Sequence, residues 1–144
     1  MALCLSTAVA GVVLAVNAFT LAWTHSIEKI RWEEDWRVQG DVLVLDAVRL
    51  RGHGAGMEPA PGTVLHDGVW QWHPRTAHAV LRLTRSEYTA DYDWCADGAA
   101  CTPLAAPSAH PVSYPPLTLP TILPVVTSVI AADCTRHRTH ADSR

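Results

Sequence analysis

The stretch FTLAWTHSIEKIRWEEDWRV, residues 19–38, predicts a β-hairpin around which the rest of the chain can be interpreted. It carries three of the six tryptophans of the protein. In both halves of the stretch, apolar residues alternate with small, polar or charged ones, which is the period of a β-strand. A turn centred between Ile27 and Glu28 predicts four facing pairs, namely His25 with Ile30, Trp23 with Trp32, Leu21 with Glu34, and Phe19 with Trp36. One face of the hairpin is therefore predicted to be aromatic and the other charged.

Two polar residues on the predicted aromatic face are the first functional candidates. His25 and Glu34 both fall on that face, and burying either without a partner would cost a few kcal/mol. Ser26 follows His25 at the start of the turn. We predict that His25, Ser26 and Glu34 contribute to a ligand-binding site.

The segment RGHGAGMEP, residues 51–59, is the second candidate, because it places three glycines within five residues. Glycines allow backbone amides to converge, and such a nest beside Arg51 and His53 could hold a carboxylate or a phosphate. No helix-forming stretch follows, so neither a phosphate-binding P-loop nor a dinucleotide fingerprint applies. We predict Arg51, His53, Gly54 and Gly56 as ligand-binding residues, with a wide turn between sheets as the alternative.

Two of the four cysteines, Cys95 and Cys101, are close in the sequence and are separated by a turn-like segment with Gly98 at its centre. A short loop between strand ends can bring two such residues to disulfide distance, whereas tetrahedral zinc would need two more ligands at matched spacing. The pattern favours a disulfide, which in turn indicates an oxidising compartment.

Length and composition restrict the class of protein. A chain of 144 residues with 49% hydrophobic and 17% charged residues fits one globular or membrane-proximal domain. Eleven basic residues against 14 acidic ones give a formal charge of −3, which excludes a global basic field. We therefore predict no nucleic-acid partner.

The N-terminal segment, residues 1–18, is apolar and has three interpretations. Ala8 to Val16 resembles the hydrophobic region of a signal peptide. A membrane anchor is the second interpretation, and two strands turning at Gly11 are the third. We predict a periplasmic or other extracytoplasmic location, with membrane association through this segment as an alternative.

The remaining segments predict further strands of an antiparallel meander. Val42 to Arg51 alternates without interruption after a turn at Gly40-Asp41, and Asp67-Gly68 is typical of a type I′ turn. We predict an all-β domain of about seven strands that forms a small sandwich or a partly open barrel. Residues 105–144, with six prolines between Pro107 and Pro124, are predicted to be an irregular and mostly disordered tail.

THSIEK followed by WEEDWRV, then GHGAGMEP, a Trp-rich hairpin and a paired-cysteine turn resemble the DUF1850 proteins. The resemblance covers about Phe19 to Leu104. These are small bacterial proteins, many encoded beside or fused to TRAP-type (TAXI) solute transporters. The resemblance implies an extracytoplasmic, β-rich accessory or ligand-binding module whose partner is a membrane transporter or its solute-binding protein.

Enzyme functions are less well supported than binding. His25 and Ser26 point to opposite faces of a strand, as do Glu33 and Glu34, so neither pair can share one substrate. We predict no catalytic residue, no metal and no cofactor, and a small polar or anionic ligand. The alternatives are a metal-dependent hydrolase using His25, His53 and Glu34, and a purely structural β domain.

Overall fold

A computed structural model of the chain describes residues 2–6, 11–25, 28–52, 60–85, 90–104 and 125–131. These residues form antiparallel strands and contain no helix, which confirms the all-β prediction. Within these ranges there is accordingly no helix of the length and apolar character needed to cross a membrane.

Twelve strands lie within the described ranges, which is more than the seven predicted. They are β1 (Ala2–Ser6), β2 (Gly11–Ala15), β3 (Ala18–Thr24), β4 (Arg31–Gln39), β5 (Val42–Arg51), β6 (Val64–His66), β7 (Val69–Trp72), β8 (Thr76–His78), β9 (Val80–Arg85), β10 (Asp93–Ala96), β11 (Thr102–Pro103) and β12 (Val125–Ala131). The excess comes from the two N-terminal strands, the short strands β8 and β11, and one strand in the C-terminal tail.

The strands form two antiparallel sheets that pack on a shared core. The larger sheet has the order β11-β10-β3-β4-β5-β7-β6, and β8 pairs with the N-terminal part of β5. The smaller sheet has the order β2-β1-β12-β9. Leu3 and Leu5 of the small sheet lie in one buried cluster with Phe19 and Trp36 of the large sheet. Neither sheet closes into a barrel among the described strands, so the architecture is the sandwich of the two predicted alternatives.

The central hairpin has the predicted register. Strands β3 and β4 pair Phe19 with Trp36, Leu21 with Glu34, and Trp23 with Trp32. The pairing extends to the turn, where the amide of His25 donates to the carbonyl of Ile30 at 2.9 Å. The second predicted hairpin is also confirmed, because Asp67 and Gly68 have φ values of 50° and 75°, the two positive angles that define a type I′ turn.

Strand β5 does not alternate without interruption as predicted. The register with β4 shifts between Asp35 and Trp36, so that Asp35 pairs with Ala47 but Trp36 pairs with Leu45, and Asp46 is an extra residue on β5. Because of this β-bulge, the residues of β5 before Asp46 lie on the face opposite to the one that simple alternation from Ala47 onward would give them. As a result, Leu45 lies on the same face as Val48 rather than on the face opposite to it.

The two ends of the chain meet in the small sheet. Residues 2–6 and 11–15 form β1 and β2, which corresponds to the strand interpretation of the N-terminal segment. In the tail, which the sequence predicts to be mostly disordered, Val125–Ala131 forms strand β12 between β1 and β9. This segment begins just after the last proline of the tail and contains none, so it can hydrogen-bond on both sides. The remaining tail residues, 105–124 and 132–144, lie outside the described ranges.

The predicted Cys95–Cys101 disulfide is present. Cys95 lies on β10, and the connecting turn has positive φ at both Asp97 and Gly98. The bond ties the end of β10 to the residue before β11. Cys4 is also disulfide-bonded, which the sequence did not predict.

Candidate functional site

The two faces of the large sheet have different chemistry, as the hairpin pattern predicts. We call one side the aromatic face, which carries Phe19, Trp23, Trp32, Glu34, Trp36, Trp70, Trp72 and Trp94. We call the other side the charged face, which carries Thr20, Arg31, Glu33, Asp35, Arg37 and Arg49. Because the side chains of a strand point alternately to opposite faces, Glu33, Glu34 and Asp35 are distributed between the two.

One half of the aromatic face is covered by the small sheet. We call this the covered half, and it contains Phe19, Trp36 and Trp94. The rings of Phe19 and Trp94 stack with centroids 4.3 Å apart, and those of Phe19 and Trp36 lie 6.4 Å apart. Phe19 is 2% exposed and Trp36 is 3% exposed, in a cluster with Leu3 and Leu5. These aromatic residues therefore belong to the core of the domain.

The other half of the aromatic face is partly exposed. We call it the open half, and it contains Trp23, Trp32, Trp72 and Tyr92. Trp32 is the central ring, since Trp23 stacks against it with centroids 5.7 Å apart and Trp72 meets it edge-on at 5.8 Å and 87°. Tyr92 extends the group through an edge contact with Trp23 at 5.5 Å. Three partly exposed indoles are thus gathered on one patch of the sheet.

Glu34 lies between the two halves and is held by an indole from each. Trp32 Nε1 donates to Glu34 Oε1 at 3.2 Å, and Trp36 Nε1 donates to Glu34 Oε2 at 3.0 Å. Burial raises the pKa of the Glu34 carboxyl above its usual value, although the two indole hydrogen bonds and nearby His78 act in the opposite direction. The carboxylate therefore lies in a site where neutral donors orient it without cancelling its charge.

His25 does not pair with Glu34, although the two share a face. His25 Nδ1 accepts a hydrogen bond from the amide of Glu28 at 3.3 Å, so its contact is with the turn backbone. Its facing residue, Ile30, lies four positions before Glu34 on the same chain segment, which corresponds to about 13 Å along a strand.

Of the other predicted ligand-binding residues, the structure describes Arg51, which does not share the face of Glu34. Arg51 is exposed and follows Leu50, which pairs with Trp32 on the aromatic face, so Arg51 points to the charged face instead. Ser26, His53, Gly54 and Gly56 lie outside the described residues. The described part of the chain also contains no group of three or more His, Cys, Asp or Glu side chains arranged to hold a metal ion.

Sequence reasoning identified Glu34 but not its partners. Trp32, Glu34 and Trp36 have the spacing W-x-E-x-W, which places all three side chains on one face of a strand. An indole can only donate and a carboxylate can only accept, so this spacing was a usable signal for the contact. Trp72 and His78 come from distant strands, and no local pattern indicates that they approach Trp32 and Trp36.

The charged face pairs its carboxylates with arginines. Arg49 donates from Nε to Glu33 Oε2 at 3.0 Å and from Nη2 to Asp35 Oδ1 at 2.8 Å. Arg31 extends the network by bonding both Glu33 and Asp93 at 3.0 Å. Burial alone would raise the pKa of Glu33, but the hydrogen bonds from Arg49 and Arg31 outweigh it and hold that pKa below its usual value. These charges are neutralised within the protein.

Comparison with known proteins gives one match. A family model described as "Domain of unknown function (DUF1850)" matches residues 19–104, which run from the second residue of β3 to the residue after β11. No curated protein and no solved structure matches the chain.

Proposed function

The chain belongs to the DUF1850 family, and we propose that its domain is an extracytoplasmic accessory or ligand-binding module that uses the open half of the aromatic face. The observation that carries this proposal is the contrast within that face. The covered half packs into the core and Trp23 packs against it, whereas Trp32 and Trp72 remain partly exposed, with an oriented carboxylate bonded to Trp32.

A binding role accounts for this arrangement better than a purely structural one. Tryptophans combine a large apolar surface with few rotatable bonds, and they are enriched at the centres of binding sites. The Glu34 carboxylate, which the indoles hold in a fixed orientation, adds a group that can orient a bound molecule. An apolar residue at position 34 would leave the buried Trp36 Nε1 without its acceptor, but a neutral acceptor would meet that structural need without the desolvation cost of a half-buried charge.

An extracytoplasmic location is proposed from the cysteines. The Cys95–Cys101 bond closes a short turn, and Cys4 is disulfide-bonded as well. Disulfides persist in oxidising compartments and are rare in the cytoplasm. Alkylation of protein taken from the cell envelope without reductant should leave Cys95 and Cys101 unmodified, and modification of both would contradict this location.

The partner is proposed from the family resemblance. It is a TRAP/TAXI-type transporter or its solute-binding protein, with the module presenting the open half to a bound solute or to the partner itself. The anion site first expected near Arg51 is not part of this proposal, because Arg51 lies on the charged face.

The test is affinity capture of the tagged full chain from its native envelope, with mass spectrometry of the proteins and small molecules retained. We expect a transporter subunit or its solute-binding protein to be retained by the wild type and lost with Trp72→Ala. Gln71→Ala is the matched control, because Gln71 is the neighbouring residue of β7 and points to the other face. Equal capture by the three forms, or capture of neither transport component, would overturn the proposal.

A further inference from the structure

From the chemistry of the open half we infer that the ligand of this site is an organic ammonium ion, bound against the indoles of Trp32 and Trp72 with the Glu34 carboxylate as its counter-ion. The inference rests on the proposed binding function and specifies the charge of the ligand. It follows from three properties of the site, which are the charge of Glu34, the orientation of the indoles, and the location of the arginines.

The first property is that Glu34 lacks a charged partner of the kind that its neighbours have. Within the described residues it forms no ion pair with a lysine or an arginine, and its hydrogen bonds come from two neutral indoles. Each carboxylate oxygen has two lone pairs, so each can accept a second hydrogen bond beyond the one from tryptophan. The titratable side chains that interact with it electrostatically are His78 and Tyr92. A bound cation would supply the missing charge.

The second property is the orientation of the aromatic rings. Trp72 meets Trp32 edge-on at 87° with centroids 5.8 Å apart, so the faces of the two indoles are perpendicular to each other. The face of an indole is negative and attracts ammonium groups, and tryptophan is the strongest aromatic partner for such ions. The same rings disfavour an anion over their faces. The carboxylate and the indoles therefore select for the same sign of charge.

The third property is that the arginines of the sheet are directed elsewhere. Arg31 and Arg49 are bonded to carboxylates of the charged face, and Arg51 points to that face as well. Among the described residues, the aromatic face carries no lysine or arginine that could receive an anion. A small anionic ligand, which the glycine-rich segment suggested, would thus meet a like charge at Glu34.

The test is calorimetric titration of the purified full chain with two cations, each against a neutral molecule of the same shape. The pairs are choline with 3,3-dimethylbutan-1-ol, and n-butylammonium with 1-butanol. We expect at least one cation to bind about tenfold or more tightly than its neutral counterpart, and Trp72→Leu and Glu34→Gln each to weaken that binding by about tenfold. Glu28→Gln repeats the chemical change at an exposed turn position and should leave binding unchanged.

Each result decides the question. If neither cation binds better than its neutral counterpart, or if Trp72→Leu has no effect, the inference is wrong. If acetate binds and Trp72→Leu abolishes that binding, the inference of a cationic ligand is wrong but the proposed ligand-binding function stands. If the envelope capture and all titrations fail, both the inference and the proposed function are wrong. Should Glu34→Gln not fold, the comparison of cation with neutral probe in the wild type and in Trp72→Leu still decides the charge.

Discussion

Glu33, Glu34 and Asp35 are consecutive in the sequence, yet the carboxylates on the two faces of the sheet have different partners. On the charged face, Glu33 and Asp35 bond to Arg49. For Asp35 burial alone would raise the pKa, but hydrogen bonds from Arg49 and Thr20 outweigh it and lower that pKa. On the aromatic face, Glu34 has neutral donors and a raised pKa. A carboxylate with an internal cation contributes to stability, whereas one without it is available to a ligand.

The largest expected effect separates the covered half of the aromatic face from the open half. Trp36→Ala empties a core position that is 3% exposed and removes one donor to Glu34, so it should destabilise the protein by about 3–5 kcal/mol. Trp72→Ala removes a partly exposed ring and should destabilise it by less than about 2 kcal/mol. Urea denaturation of both variants checks this difference, and losses of equal size would mean that the open half is as deeply packed as the covered half.

On the charged face, Arg49→Met should destabilise the protein by about 1–2 kcal/mol, because it leaves two partly buried carboxylates without their shared cation. Arg37→Met is the matched control. Arg37 is 46% exposed and bonds Asp46, which is 38% exposed, so its loss should change the free energy of unfolding less than the loss of Arg49 does. The measurement is chemical denaturation at neutral pH in low salt. A larger effect at Arg37 than at Arg49 would show that the network around Glu33 and Asp35 does not stabilise the sheet.

A smaller effect is expected for Thr20, whose hydroxyl donates to Asp35 Oδ1 at 2.7 Å. Thr20→Val keeps the shape and the β-branch but removes this bond, which should destabilise the protein by about 1 kcal/mol. Thr24→Val on the same strand is the control, since Thr24 is exposed. Thermal melting of the two variants compares them directly, and identical melting temperatures would indicate that Asp35 is held by Arg49 alone.

The two faces should also respond to pH with opposite signs. The pKa values of Glu33 and Asp35 are lowered in the folded protein, so their stabilising contribution is present above their ordinary values of 4.5 and 3.8 and is lost as pH falls through the folded values. The pKa of Glu34 is raised from 4.5, so its contribution is present below 4.5 and is lost as pH rises through the folded value.

The free energy of unfolding of Glu34→Gln should therefore increase relative to that of the wild type as pH rises from below 4.5. The increase should be about 1.4 kcal/mol for each unit by which the pKa of Glu34 is raised. Denaturation curves of both proteins over pH 4 to 7 measure this difference. Glu28→Gln should show no such trend, because Glu28 is exposed in the turn. A difference that moves in the opposite direction would mean that the folded protein favours the charged form of Glu34.

Local patterns in the sequence predicted the features that depend on neighbouring residues. Alternation gave the pairing of Trp23 with Trp32 and of Leu21 with Glu34, and Asp67-Gly68 gave its turn, because both depend on geometry within a few residues. The turn around Gly98 likewise indicated the disulfide between Cys95 and Cys101 that closes it.

The features that sequence reasoning missed depend on contacts between distant segments. The extra residue Asp46 looks like an ordinary member of an alternating strand, and only pairing with β4 identifies it as a bulge. The approach of Trp72 to Trp32 depends on β7 lying next to β5. Of the candidate site, the sequence therefore indicated Glu34 and not the contacts that the surrounding aromatic residues make.

The position of β12 determines when the protein can complete its folding. In the small sheet, β1 and β9 are each bonded to β12 and not to each other, so this sheet cannot assemble before residues 125–131 have been synthesised. Pairings across such long sequence separations form slowly, because loop closure has to precede the contacts that compensate for it. Until then Phe19 and Trp36 lack the cover that Leu3 and Leu5 provide. The nascent chain thus presents an apolar surface that is prone to aggregation until β12 is in place.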